Sequence, residues 1–133
     1  MKLKQSTLIM IAAINMFIAV AAGAFGAHGL KTILSADMLA VWQTAVTYQI
    51  SHSLGLFGIA LLMPHLQSIW LARSATAMLI GIVIFSGSLY LLAASGIRWL
   101  GAITPFGGLA FLLAWAMLAW AAYRDTKSVI KPV

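Results

Sequence analysis

Four apolar runs, near residues 6–27, 38–63, 74–94 and 105–123, are each long enough to cross a bilayer, and nothing else restricts the chain so strongly. A hydrocarbon core about 30 Å thick takes roughly 20 residues of helix. Within it every backbone N–H and C=O must be paired inside its own segment, which favours helices over open strands. The composition agrees: 63% of the 133 residues are hydrophobic and 8% are charged, with a mean hydropathy of +1.04. Soluble domains carry about 25% charged residues. The expected fold is an all-α integral membrane protein, one transmembrane domain over 1–133, with its four helices in an up-down bundle.

Local chemistry punctuates the runs. Ser35 before Ala36 and Asp37 reads as an N-cap with an acid at the positive end of the second helix. Pro64 closes that helix, and Thr104 is read as the cap of a fourth that begins with Pro105. Arg124 to Val133 is read as a polar, basic tail. The first run imitates a secretory signal, with a basic start and small residues at Ala22, Gly23 and Ala24. Its apolar core is longer than the roughly 7–15 residues of a signal, which favours an uncleaved span. Lys2, Lys4, Arg73, Arg124, Lys127 and Lys131 fall on one side of the membrane, Lys31 and Arg98 on the other. The positive-inside rule then places both termini in the cytoplasm.

The charge balance also restricts function. A net charge of +6 would suggest nucleic acid in a soluble protein. Here the basic residues stand at the ends of apolar runs, where they face anionic headgroups, so the partner is the lipid bilayer and not nucleic acid. The absence of cysteine removes thiolate catalysis, disulfides and thiolate metal sites. His28 and His65 belong to opposite membrane faces with His52 between them, which rules out one three-histidine metal site. No cofactor motif is present: the glycines of GAFGAHG follow no strand and precede no Walker lysine.

The richest stretch is Trp42 to Gly58, WQTAVTYQISHSLGLFG. It is apolar enough to cross a membrane yet carries Gln43, Thr44, Thr47, Tyr48, Gln49, Ser51, His52 and Ser53. Unpaired polar groups in hydrocarbon cost several kcal/mol each, so this helix needs protein or water beside it. Asn15 lies ~13 Å into the first span, and Tyr48 to His52 fall within about one turn of the same depth. Ser86 and Ser88 reach the interior from the third span. Asn15, Tyr48, Gln49, His52, Ser86 and Ser88 are therefore expected to form one interior polar network, with His52 neutral because no acid lies within any span. Ala19, Gly23 and Ala27 recur every four residues and predict close helix packing, within the chain or against a second one.

The motifs GAFGAHGL (Gly23 to Leu30), YQISHSLGL (Tyr48 to Leu56) and ITPFGG (Ile103 to Gly108) resemble those of the small bacterial inner-membrane proteins of domain of unknown function 423, the YgdD/YwdK-like family. The resemblance covers nearly the whole chain and implies a compact multi-span protein of the bacterial inner membrane. It assigns no activity. By position its pattern points to Gly26, His28, Gly29, Trp42, Tyr48, His52, Pro105 and Gly107.

No nucleophile, base and orienting partner occur together, so an enzyme is not expected. The expected role is a structural or accessory subunit that packs with itself, as a homo-oligomer, or with another membrane protein. The alternative is an oligomeric transporter of a small solute, ion or proton with His52 in its pathway.

Overall fold

The computed structural model describes residues 3–66 and 68–129, with side chains as far as Asp125. Lys2 and Lys131, which enter the charge reading, lie outside the described residues, as does the side chain of Lys127. The elements of the described chain are all helical: α1 (Gln5–His28), α2 (Ala36–Leu62), α3 (Ile69–Gly81), a π-helical segment (Ile82–Ser86), α4 (Gly87–Ser95), a 3-10 turn (Arg98–Ala102) and α5 (Thr104–Val129). α3, the π segment and α4 run on as one span, Ile69–Ser95, so four helices are long and apolar enough to cross a membrane.

The helix ends follow local chemistry. Ser35 caps α2 by accepting the Met38 N–H at 3.3 Å, and Asp37 stands in the first turn. The third span starts at Ile69, earlier than its apolar run indicates, because Ser68 accepts the Trp70 N–H at 3.3 Å and no helix breaker intervenes. It stops at Gly96, whose φ of +70° only glycine adopts readily. Two expectations are corrected here. α5 continues past Arg124 to Val129, since no glycine or proline stands between them to end the helix. Thr104 is not a conventional cap: its hydroxyl lies 2.8 Å from Ser88 Oγ and so joins the fourth span to the third.

α1 packs mainly along α2, α5 along α3 and the π segment, and α2 meets the third span between them. The two middle spans bury 44% of their most apolar stretch, against 17% for α1 and 22% for the fourth span. α1 and α5 are thus the outer helices. The core toward the α1 N-terminus holds Leu8, Leu56, Ile59, Met78 and Phe111, and a smaller cluster of Ala45, Leu89 and Leu92 occupies the other half.

α1 buries Leu8, Ala12, Ala19 and Gly26, a seam that returns every seven residues from Ala12 onward. Seven residues turn a helix to within about 20° of its starting direction, whereas eight overshoot by about 80°. That difference sorts the expected packing stripe. Ala19 is buried, and a Cβ on Gly23 would stand 3.3 Å from Val46, but Ala27 turns outward.

Candidate functional site

The interior polar residues divide into three groups, and α2 divides them by its two faces. Gln49, 4% exposed, looks into the bundle. Its Nε2 donates to the Asn15 carbonyl at 3.3 Å, and its Oε1 accepts from the Tyr90 hydroxyl at 2.8 Å. One carboxamide thereby ties α1, α2 and α4 together. The Asn15 side chain itself turns back to the Ile11 carbonyl at 2.9 Å. Ser53, fully buried, donates to the Gln49 carbonyl at 2.7 Å.

The second group surrounds His52, which is 7% exposed. Its Nδ1 lies 2.7 Å from the Tyr48 carbonyl, and because a carbonyl can only accept, Nδ1 carries the hydrogen. The imidazole stacks on Phe111, with ring centroids 3.4 Å apart and planes within 14°. Tyr48 is not the interior polar side chain expected: it is 41% exposed, its ring stacks on Phe85 at 4.3 Å and only its backbone carbonyl serves His52, while Trp115 lies 6.1 Å from the imidazole. α2, the π segment and α5 are joined here by a plug of rings. The third group is Ser88, bonded to Thr104 and donating to the Phe85 carbonyl at 3.0 Å.

These partners correct the expectation of one network. Asn15 and His52 share no hydrogen bond: Asn15 serves the Gln49 group through its carbonyl, while His52 faces α5. Matching depth places residues in one layer without choosing which faces meet. Ser86, 1% exposed, has a hydroxyl with no hydrogen-bond partner among the described residues. It ends the π segment, where one extra residue per turn displaces its side chain from the face that an α-helix would give it.

The family-pattern positions have several geometric explanations. A Cβ on Gly26 would come within 2.7 Å of the Trp42 ring, and Trp42 Nε1 donates to the Ala22 carbonyl at 2.9 Å. Gly26 is thus the floor on which Trp42 lies. A Cβ on Gly107 would strike the Phe85 backbone, so α5 meets the π segment where only glycine fits. Gly29 makes similar room for the Phe25 ring. His28 and Pro105 are exposed, at the end of α1 and in the first turn of α5. Sequence reasoning missed Tyr90, and it missed buried Ser74, which donates to the Ala114 carbonyl at 2.7 Å and ties α3 to α5. The sequence signal at Ser74 is weak, since Thr76 beside it carries the same hydroxyl yet is exposed and bonds within its own helix.

The other face of α2 points out of the molecule. Ala40, Thr44, Thr47, Ser51, Leu54, Gly58 and Leu61 are all exposed, in alternating steps of four and three. The hydroxyls of Thr44, Thr47 and Ser51 donate to carbonyls four residues back at 2.8–3.0 Å, leaving a low surface. A Cβ on Gly58 would meet nothing within 4 Å. Among the described residues, no group of three His, Asp or Glu could hold a metal ion.

Four apolar spans joined by short connections, with interhelical polar bonds inside, define a small polytopic membrane protein of the helical-bundle class. The family described as "Protein of unknown function (DUF423)" matches residues 22–108, and the chain belongs to it. It is 48% identical over 117 residues to the UPF0382 membrane protein YwdK of Bacillus subtilis, covering 87% of this chain and 95% of that one. It is 43% identical over 117 residues to the UPF0382 inner membrane protein YgdD of Escherichia coli K12, covering 88% and 89%. The same level of likeness extends to the UPF0382 membrane protein SSP2132 of Staphylococcus saprophyticus, 47% identical over 116 residues, covering 87% and 96%. No solved structure matches. The chain is a multi-pass protein of the inner (plasma) membrane.

Proposed function

We propose that this protein is a non-enzymatic structural or accessory subunit that packs through the outward face of α2 against a second copy of itself or a helix of another membrane protein. The observation that carries the reading is the row Ala40, Thr44, Thr47, Ser51, Leu54, Gly58 and Leu61. Lipid tails are as apolar as leucine, so helices associate in bilayers where small and hydroxyl-bearing residues allow backbones to approach closely. Steps of four and three keep such a row facing one partner helix at the shallow crossing angle of a left-handed pair. The small and hydroxyl-bearing part of the row runs from Ala40 to Ser51, whereas Leu54 and Leu61 below it are large exposed side chains like Phe17, Val83 and Leu112 on the other spans. Purified protein in mild detergent should sediment as an oligomer, or with a membrane partner, and Thr47→Leu with Ser51→Leu should reduce it to the single chain. A parent that is already a lone single chain in detergent and in native membranes would contradict the reading.

A second reading, an oligomeric transporter with His52 in its path, is favoured by one observation: the buried Ser86 hydroxyl, without a partner among the described residues, at the end of a π-helical segment. Such segments recur at functional sites. Proton or solute flux into liposomes that is lost in His52→Gln would favour it, and equal leakage with and without protein would remove it.

A further inference from the structure

An open cleft of about 550 Å³ lies at the end of the bundle where α1 and α3 begin, lined by Leu3, Arg73, Thr76, Ala77, Ile80 and Met117 with Ala72. Arg73 and Ile80 are seven residues apart on one helix, so the cleft descends about 10 Å along α3. Its walls change character with depth. Ala77, Ile80 and Met117 are apolar, whereas Arg73 stands at the rim with its guanidinium 4.8 Å from the centre of the Trp70 ring. A cation held over an indole keeps its place while its N–H groups stay free for another acceptor. Trp70, in the first turn of α3, belongs at headgroup level, where tryptophan collects.

Two further cations stand close to lining residues in the chain, though neither lines the cleft itself. Lys4 follows Leu3, and Arg124 lies two turns beyond Met117 on α5, on the same helix face because seven residues return to nearly the same direction. Asp125 is the acid at this end. The cleft thus joins a cationic rim to an open, apolar throat between α3 and α5, the chemistry that suits a phosphodiester attached to an acyl chain.

We propose that this cleft binds one anionic phospholipid from the adjacent leaflet, with its phosphate on Arg73 and the first part of an acyl chain between α3 and α5. Charge complementarity chooses anionic over zwitterionic lipid: Arg73, Lys4 and Arg124 outweigh Asp125, and a phosphatidylcholine headgroup would add a choline cation to that rim. The bidentate guanidinium suits a phosphate, while Thr76 lies one turn below Arg73 in the same wall.

The test is native mass spectrometry of the full chain released from detergent containing equal phosphatidylglycerol and phosphatidylcholine. The parent should retain phosphatidylglycerol preferentially. Arg73→Gln should lower that preference about five-fold, the worth of one basic residue near a charged surface. Ala77→Trp should lower retention of phosphatidylglycerol by filling the throat while leaving Arg73 in place, and Ile80→Trp serves if that variant does not fold. Equal retention of the two lipids by the parent would overturn the proposal, as would an unchanged preference in Arg73→Gln. Displacement of the lipid by inorganic phosphate alone would overturn the acyl-chain part and leave a simple anion site.

Discussion

At the scale of the residue, Gln49 and His52 have separate partners: the Gln49 carboxamide joins the Asn15 carbonyl and the Tyr90 hydroxyl, and the His52 ring the Tyr48 carbonyl and Phe111. Gln49 and His52 were conspicuous because carboxamides and imidazoles are rare in apolar helices, yet hydropathy carries no information on which neighbour each meets. Gln49 joins Tyr90, and His52 stacks on Phe111. Gln49→Ala and Tyr90→Phe should therefore couple in a double-mutant cycle of unfolding in detergent, by about 0.6–1.7 kcal/mol, the range for hydrogen bonds between membrane helices. Asn15→Ala with His52→Ala should add to within about 0.5 kcal/mol, because they share no partner. Coupling found in the second pair and not in the first would reverse the assignment. Gly107→Ala should destabilise by roughly 1–3 kcal/mol, as overpacking does, since the added Cβ runs into the Phe85 backbone. A Gly107→Ala protein as stable as the parent in the same unfolding measurement would show that α5 does not approach so closely.

At the scale of the element, the four spans were legible because length and apolarity are one-dimensional properties, and their interruptions were less so. The π-helical segment Ile82–Ser86 left no mark in IVIFS, whose residues suit an ordinary α-helix. Its consequence is visible only in three dimensions: it presents the Phe85 backbone to Gly107 and buries the Ser86 hydroxyl without a partner among the described residues. A buried hydroxyl that makes no hydrogen bond costs about 1–3 kcal/mol in desolvation. Ser86→Ala should accordingly leave thermal stability unchanged or raise it. A marked loss of stability would mean that the hydroxyl has a partner such as a bound water, and would strengthen the transport reading. The four-residue repeat in α1 was equally legible, but the helix follows a seven-residue seam, so Gly26 rather than Ala27 meets α2.

At the scale of the whole molecule, the four-span plan could be read from the sequence, and the division of α2 into an inward carboxamide and imidazole face and an outward small-residue face could not. Polar residues spread over half its circumference look like one continuous demand for partners, and only the packed neighbours show that Gln49, His52 and Ser53 are served inside while Thr44, Thr47 and Ser51 are left outside. Placing both termini in the cytoplasm rests on the distribution of Lys and Arg. Cysteines introduced at Lys31 and Arg98 should react with an impermeant reagent from the outer side only, and reaction from the inner side alone would reverse the orientation. The central claim, that the outward face of α2 is a helix-packing surface, is tested most directly by crosslinking, because the chain has no cysteine of its own. Single-cysteine variants Thr47→Cys and Ser51→Cys should form disulfide-linked dimers, or adducts with one membrane partner, when oxidised in native membranes, while Phe17→Cys and Leu112→Cys on the outer helices should not. Equal crosslinking at all four positions, or none at Thr47 and Ser51, would contradict the claim.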